Sequence, residues 1–296
     1  QKSLARKVAG PIRYRILLPE VINLISAITG LKDLLGLTMI FRFASLALVF
    51  LSTYMLVMFF SNNHYLSIFL PLLYVFMIPF SWDVLYVTDF PEILFSTLFI
   101  YSMFRNNYAW AGIFFILGAL NNDPIVFNLV FFGFYTILKA KKPLKNLLTT
   151  IKNNKKTFLF LILLFIIFLI LKFIIISTYG KTWYYENQFK ENIHHIKEYI
   201  SRFERFNFQH YEPGLNKFFS FVIFGGGIYL LIILFYRRLP HDFLVGFILT
   251  FLVFIPLLLY IGTINETRIL YVFYPYVIIC LAYIFKEDFN KFGGFK

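Results

Sequence analysis

Residues 139–179 read KAKKPLKNLLTTIKNNKKTFLFLILLFIIFLILKFIIISTY, a lysine-rich segment followed directly by an apolar run. From Leu159 to Ile176 the run is interrupted only by Lys172, which lies close enough to its end to snorkel to the membrane interface. About 20 apolar residues in an α-helix cross the hydrocarbon core of a bilayer. The segment therefore predicts a transmembrane helix over 157–179.

The composition of the whole chain extends this prediction. Hydrophobic residues make up 59% of the 296 residues and charged residues 15%, and the mean hydropathy is +0.73. A soluble domain of this size needs more polar surface to cover its core. We therefore expect an all-α fold, a polytopic transmembrane helical bundle in which residues 1–296 form a single membrane domain.

Other apolar runs predict further helices. Spans are expected at 38–60, 65–80, 90–104, 217–236, 243–261 and 269–285. Residues 19–30 begin with proline and end with glycine, as a short helix often does. In 188–206, hydrophobic residues recur every three or four positions with charges between them, which predicts an amphipathic helix on the outer membrane surface.

Residues 108–138 are too long for one ordinary span and contain the sequence Asn121-Asn122-Asp123-Pro124. Proline lacks a backbone donor and disfavours helix in the residue before it. We expect two shorter helices that meet at a break near 121–124. Irregular backbone at this depth is tolerated only where protein or water covers it.

The distribution of charge predicts the topology. Residues 139–156 carry seven lysines and no acidic residue, so the positive-inside rule makes this loop cytoplasmic. Threading the chain through the predicted spans places 180–216 outside as an interfacial segment, and the carboxyl-terminal tail from Lys286 inside. Arg237 and Arg238 also fall inside, as the rule requires. Residues 1–37 fall outside although they are basic, so we expect that a first transmembrane helix precedes Gln1.

Charge and residue types also exclude several functions. The net charge of +13 would suggest nucleic acid in a soluble protein, but here much of it lies in loops between apolar runs, so we expect no nucleic-acid partner. A single cysteine, Cys280, allows no disulfide within the chain. His194 and His195 are adjacent and would point to different faces of a helix, so we assign no metal site.

Ionisable residues gather at the predicted outer edge of the membrane, where charges are costly and are usually paired or functional. They are Arg13, Arg15, Asp83, Asp89, Glu92, Asp123, Glu266 and Arg268. Arginine binds phosphate through two hydrogen bonds, so Arg13 and Arg15, beside Tyr14, suit a lipid-linked phosphate as well as ordinary headgroup anchoring. We predict a shared cavity that opens to the outer face.

Four short motifs resemble bacterial membrane proteins of the GT-C glycosyltransferase superfamily. Residues 10–19, GPIRYRILLP, are similar to a P-x-R-Y-R-x-L-x-P segment of these proteins, and residues 89–92, DFPE, followed by 105–108, RNNY, resemble their next signature. Residues 120–123, LNND, stand where such proteins often carry LNRE. Residues 265–268, NETR, precede an aromatic helix in the same way.

The resemblance implies an integral protein of the bacterial inner membrane that moves a sugar from a polyprenyl-phosphate donor to an acceptor at the outer face. It implies that one set of residues takes part in catalysis and another set binds the lipid phosphate. The catalytic candidates are Asp89, Glu92 and Glu266, the phosphate-binding candidates are Arg13, Arg15 and Arg268, and Tyr14, Asn121 and Asp123 line the cavity. In such enzymes an acidic residue in the first outer loop is usually the catalytic base, and here that loop would lie before Gln1 or at its edge. No cofactor is assigned, and a divalent cation stays an open alternative.

Two alternatives to the enzyme come from other functional classes. A non-catalytic subunit would keep the fold and pack against partner membrane proteins. A transporter is favoured by the broken helix at 121–124, because such breaks form substrate sites near the middle of a membrane. The second half of the chain carries no matching inverted break, which weighs against the transporter.

Overall fold

The computed structural model describes residues 17–30, 33–77, 89–139, 147–179, 226–261 and 272–292. Within these ranges all regular secondary structure is helical, so the predicted all-α fold is confirmed. The predicted amphipathic helix at 188–206 and the whole segment 180–216 lie outside the described residues.

The described ranges contain eleven α-helices and two short 3-10 helices. The α-helices are α1 (Leu17–Thr29), α2 (Leu34–Ser61), α3 (His64–Met77), α4 (Asp89–Phe104), α5 (Tyr108–Asn121), α6 (Val126–Leu138), α7 (Leu147–Asn153), α8 (Lys155–Tyr179), α9 (Gly226–Leu234), α10 (His241–Ile261) and α11 (Tyr274–Phe292). The 3-10 helices are Asp123–Ile125 and Tyr236–Arg238.

The predicted break is present between α5 and α6. Helix α5 ends at Asn121, the backbone of Asn122 is extended (φ −158°, ψ 147°), and the chain resumes as a 3-10 turn before α6 begins at Val126. Gly118, one turn before the break, lets α5 approach its neighbours closely. A Cβ at Gly118 would lie 1.9 Å from the Cδ1 atom of Ile125 and 3.2 Å from the Cβ atom of Phe95.

Helix α11 is longer at its carboxyl end than predicted. The sequence indicated a helix that ends near residue 285, where charged residues begin, but α11 continues to Phe292. The charged turn is stabilised by partners far away in the chain. Lys286 donates to the Phe60 carbonyl (3.2 Å), Asp288 accepts from Arg238 (2.7 Å), and Asn290 accepts from the Asn63 amide (2.9 Å).

These contacts bring the turns on one side of the bundle together. The turn at 62–63, the residues around Arg238 and the last turns of α11 lie at one end. The turn between α4 and α5 lies at the same end, because the ring centroids of Phe60 and Phe104 are 4.9 Å apart. The start of α8 adjoins this turn, because the Tyr108 hydroxyl is 2.8 Å from the Thr157 hydroxyl. We call this side, with its lysines and arginines, the basic end, and the other side the opposite end.

Aromatic side chains fill the centre of the bundle where α6, α10 and α11 meet. The ring centroids of Phe131 and Tyr276 are 4.3 Å apart, and those of Phe254 and Phe273 are 4.8 Å apart. Each of these rings is almost fully buried. Close aromatic pairs of this kind hold α6, α10 and α11 in a fixed register.

Two described helices are long and apolar enough to cross a membrane, judged by length and composition alone. They are Gly36–Ser61 and Lys155–Ile175, and six further apolar helices of 10–17 residues accompany them. Helices α4 and α5 pack against each other, α2 packs on α3 and α4, and α11 lies against α2, α3 and α4. Helix α8 packs on α5 and α6 at the outside of the bundle.

Candidate functional site

Glu92 lies in the first turn of α4 at the opposite end of the bundle and is only 2% exposed. Its Oε2 atom accepts a hydrogen bond from the side-chain amide of Asn122, the extended residue of the helix break. A carboxylate removed from water needs polar partners to offset the cost of desolvation. The bond therefore ties the buried start of α4 to the break.

Asn122 serves both sides of the break. Its backbone N–H donates to the Gly118 carbonyl (2.7 Å), which completes the last turn of α5. Its side-chain oxygen accepts from the Asp123 N–H (3.1 Å), as in the cap of a helix. One asparagine side chain thus contacts the carboxylate of α4 and starts the 3-10 turn that leads to α6.

Lys172 of α8 reaches into the break from the other direction. Its ammonium forms an ion pair with Asp123 and donates to the Ala119 carbonyl (3.0 Å). The side chain of Lys172 is 14% exposed and that of Asp123 is 50% exposed, so the acid faces outward and the lysine is mostly covered. The sequence predicted that Lys172 lies close enough to the interface to snorkel, and the structure shows that its ammonium contacts the helix break.

The bond to Ala119 has a structural cause. In an uninterrupted helix the Ala119 carbonyl would accept from the N–H of residue 123. Here the Asp123 N–H donates to Asn122 instead, which frees that carbonyl. Lys172 donates to this carbonyl. The lysine therefore both neutralises the Asp123 carboxylate and supplies the hydrogen bond that the backbone lacks at the break. Backbone groups that lack water must find such partners within the protein.

A second polar layer lies one helical turn further along α4. The Tyr276 hydroxyl donates to the Asn128 side-chain oxygen (2.7 Å), and the Asn128 amide donates to the Ser96 hydroxyl (3.3 Å). All three side chains are at most 1% exposed. Since Ser96 is four residues after Glu92 on α4, polar groups follow one face of this helix into the core.

We call Glu92, Asn122, Asp123 and Lys172 the break cluster. It combines two carboxylates, an amide and an ammonium at the junction of three helices. Asp123 is half exposed and can meet a ligand directly, whereas Glu92 acts through Asn122. Such a set can accept a proton from a hydroxyl group and can stabilise negative charge. Among the described residues, no three His, Cys, Asp or Glu side chains lie close enough together to hold a metal ion.

The structure brings together only part of the predicted site. Glu92 and Asp123 both belong to the break cluster. Asn121, the last residue of α5, directly precedes Asn122 in the chain and is fully buried. Asp89 is the first residue of α4, and its side chain is not among those described. The remaining candidates lie outside the described residues, so the shared cavity stays a prediction. They are Arg13, Tyr14, Arg15, Asp83, Glu266 and Arg268.

Asn122 and Lys172 were not among the predicted site residues. A signal for Lys172 existed, because it is the only charge within the apolar run of α8. An isolated charge in such a run must find a partner, and intramembrane acids and bases usually pair with one another. No feature of the sequence distinguishes Asn122 from its neighbour Asn121. Only the geometry of the break shows that Asn122 is the residue that binds Glu92.

No protein-family model, no curated protein and no solved structure matches this chain. The chemistry of the break cluster therefore rests on its own geometry.

Proposed function

We propose that the chain is a polytopic membrane protein. The most apolar window of Lys155–Ile175 is only 17% buried and that of Gly36–Ser61 is 39% buried, whereas the core helix of a soluble protein is mostly buried. On α8, Phe173 is 73% exposed and Leu159 is 55% exposed. Large apolar surfaces of this kind favour contact with lipid.

We infer further that the basic end faces the cytoplasm. Lys152, Lys155 and Lys156 lie beside the turn from α7 to α8, and Arg237 and Arg238 lie in the turn before α10. Positive residues in short loops are typical of the cytoplasmic side. The break cluster then lies near the outer side, as the resemblance to GT-C proteins implies.

Within that membrane protein, we propose that the break cluster belongs to a GT-C-like glycosyltransferase. The observation that carries this proposal is the pairing of Lys172 with a half-exposed Asp123 at a helix break, next to the buried Glu92. An ammonium held at this place favours the phosphate of a polyprenyl-linked sugar. Arg13, Arg15 and Arg268, which the resemblance assigns to the phosphate, would act with it.

In the proposed reaction an acceptor hydroxyl attacks the anomeric carbon of the donor sugar. The bond between that carbon and the phosphate oxygen breaks, and polyprenyl phosphate leaves with both electrons. Asp123, the more exposed carboxylate, takes the proton of the acceptor. Glu92 is a positioning residue, because it holds Asn122 and through it the start of the 3-10 turn.

Binding of undecaprenyl phosphate to the purified chain tests the donor part of the proposal. Native mass spectrometry should show that the chain retains undecaprenyl phosphate in preference to phosphatidylglycerol, and that Lys172→Gln weakens this binding about tenfold. Lys152→Gln, on the exposed surface of α7 at the basic end, should have no effect. Equal loss in both variants, or no preference for the polyprenyl lipid, would contradict the proposal.

Transfer itself tests the role of the acid. In membranes that supply an acceptor, Asp123→Asn should abolish the release of undecaprenyl phosphate from its hexose-linked form without weakening donor binding. Full activity in this variant would move the base to another residue. A chain that binds the lipid but never releases it, in any variant, would favour the non-catalytic subunit.

A transporter is the second candidate, because an ion pair at an interrupted helix also suits a substrate or ion site. The two candidates differ in what leaves the protein. An enzyme releases polyprenyl phosphate and a glycosylated acceptor, whereas a transporter moves an unmodified solute across a sealed vesicle. Solute uptake that is lost in Asp123→Asn, without any sugar transfer in the unaltered protein, would favour the transporter.

A further inference from the structure

A half-open pocket of about 320 Å³ lies at the basic end, away from the break cluster. It is bounded by the end of α4, the turn into α5, the last turns of α6 and the turn between α7 and α8. Its polar and charged lining includes Asn106, Tyr108, Tyr135, Lys139, Asn154 and Thr157. Nothing in the proposed transfer reaction uses these residues.

Part of the polar lining is already occupied by internal hydrogen bonds. The Tyr108 hydroxyl bonds to that of Thr157 (2.8 Å), and the Asn154 amide donates to the Thr150 carbonyl (3.0 Å). These bonds fix the two loops that form one wall. Asn106 and Lys139 also line the pocket and can supply an amide and an ammonium to a ligand.

The charge of the lining selects the class of ligand. Its one charged side chain is Lys139, whose ammonium lies 5.9 Å from the centre of the Tyr135 ring. Lys156 is close to the same wall, 5.2 Å from the Tyr108 ring. No carboxylate is among the described lining residues, so the pocket lacks a ligand set for a divalent cation. Asp242, outside the lining, interacts electrostatically with the Tyr135 hydroxyl, but its single negative charge is outnumbered by the two lysines.

The helix ends around the pocket do not by themselves favour an anion. The amino-terminal ends of α5 and α8 border it, but so do the carboxyl-terminal ends of α4, α6 and the short α7. Lys139 directly follows α6 and offsets the negative end of that helix. Lys139 and Lys156 therefore decide the sign of the electrostatic potential in the pocket, and this potential favours a negatively charged ligand.

We propose that this pocket binds a phosphate ester, with Lys139 as the cation and Asn106 as a hydrogen-bond donor. Aromatic walls beside a cation and neutral donors suit a small phosphorylated group better than a bare ion. At a basic membrane end, such a group comes either from an anionic phospholipid headgroup or from a soluble phosphate ester. The proposal is independent of the glycosyltransferase hypothesis, because it concerns the other end of the bundle.

The test uses the full chain and two probes. In one arm, native mass spectrometry measures retention of phosphatidylglycerol against phosphatidylcholine. In the other arm, calorimetry measures the binding of glycerol 1-phosphate to the chain in phosphatidylcholine nanodiscs. The variants are Lys139→Gln, Asn106→Gly and the control Lys152→Gln, which removes the same charge from an exposed position of α7. Glycine suits position 106, because Asn106 has a φ of +54° that other side chains rarely adopt.

We expect Lys139→Gln to weaken binding about fivefold in at least one arm, and Lys152→Gln to have no effect. Selective binding of phosphatidylglycerol alone would identify a lipid headgroup as the source, and binding of glycerol 1-phosphate would identify a soluble ester. Equal weakening by the two lysine variants would show general attraction to a basic surface and would overturn the proposal. Binding of neither probe would also overturn it.

Discussion

Replacing Lys172 by methionine separates the two roles of this lysine at the helix break. Methionine keeps the length and apolar volume of the side chain but removes the ammonium. The Ala119 carbonyl then loses a charged donor 3.0 Å away, and bonds of that kind contribute about 1.5–3 kcal/mol. The carboxylate of Asp123 also loses its partner. Because its side chain is 50% exposed, water replaces much of that interaction, which limits its share to about 1 kcal/mol or less.

We therefore expect Lys172→Met to lower the free energy of unfolding by about 2–3 kcal/mol, most of it from the backbone contact. Unfolding in mixed micelles with increasing sodium dodecyl sulfate measures this value for the single variants and for the double variant with Asp123→Asn. The coupling energy of the pair should be about 1 kcal/mol or less. Lys156→Met, which removes a lysine that lies over the Tyr108 ring, is the control and should cost less than about 1 kcal/mol. A coupling energy that equals the whole cost of Lys172→Met would refute the assignment to the carbonyl.

Three further predictions concern packing, polar burial and topology. Gly118→Ala should destabilise the fold by about 1–3 kcal/mol in the same unfolding assay, because its Cβ would overlap a buried isoleucine; Gly133→Ala, with nothing within 4 Å, should be neutral or slightly stabilising. Tyr276→Phe should cost about 1–3 kcal/mol, because the side-chain oxygen of Asn128 loses a donor 2.7 Å away in the core, and an unchanged unfolding midpoint would show that water replaces it. A cysteine introduced at Lys145 should resist an impermeant thiol reagent in intact cells, and its labelling would reverse the predicted topology.

The helix break shows what sequence reasoning could find. Pro124 lacks a backbone donor, and that local fact is sufficient to predict the end of α5 and a new start before α6. The bounds of α4 and α8 likewise follow from the lengths of their apolar runs. These features depend on residues that are neighbours in sequence.

The partners at the break could not be predicted in the same way. The contact between Lys172 and Asp123 depends on the shift and rotation of α8 relative to α5. Packing across the whole interface between these helices decides both. Likewise, Asn128 and Tyr276 each stand within apolar runs, and their pairing across 148 positions has no local signal. The charged end of α11 was placed outside the helix for the same reason, since its partners are remote.

The position of α11 also constrains the order in which the protein can be completed during synthesis. Asn290 pairs with Asn63 across 227 positions, and α11 packs between helices that a ribosome makes far earlier. Until α11 is in place, α2, α3 and α4 leave open a groove lined by apolar and amide groups. Long-range contacts of this kind form late, and an unfilled groove exposes surface that quality-control proteases and chaperones recognise. A chain that stalls before α11 is therefore a natural target for degradation in the cell.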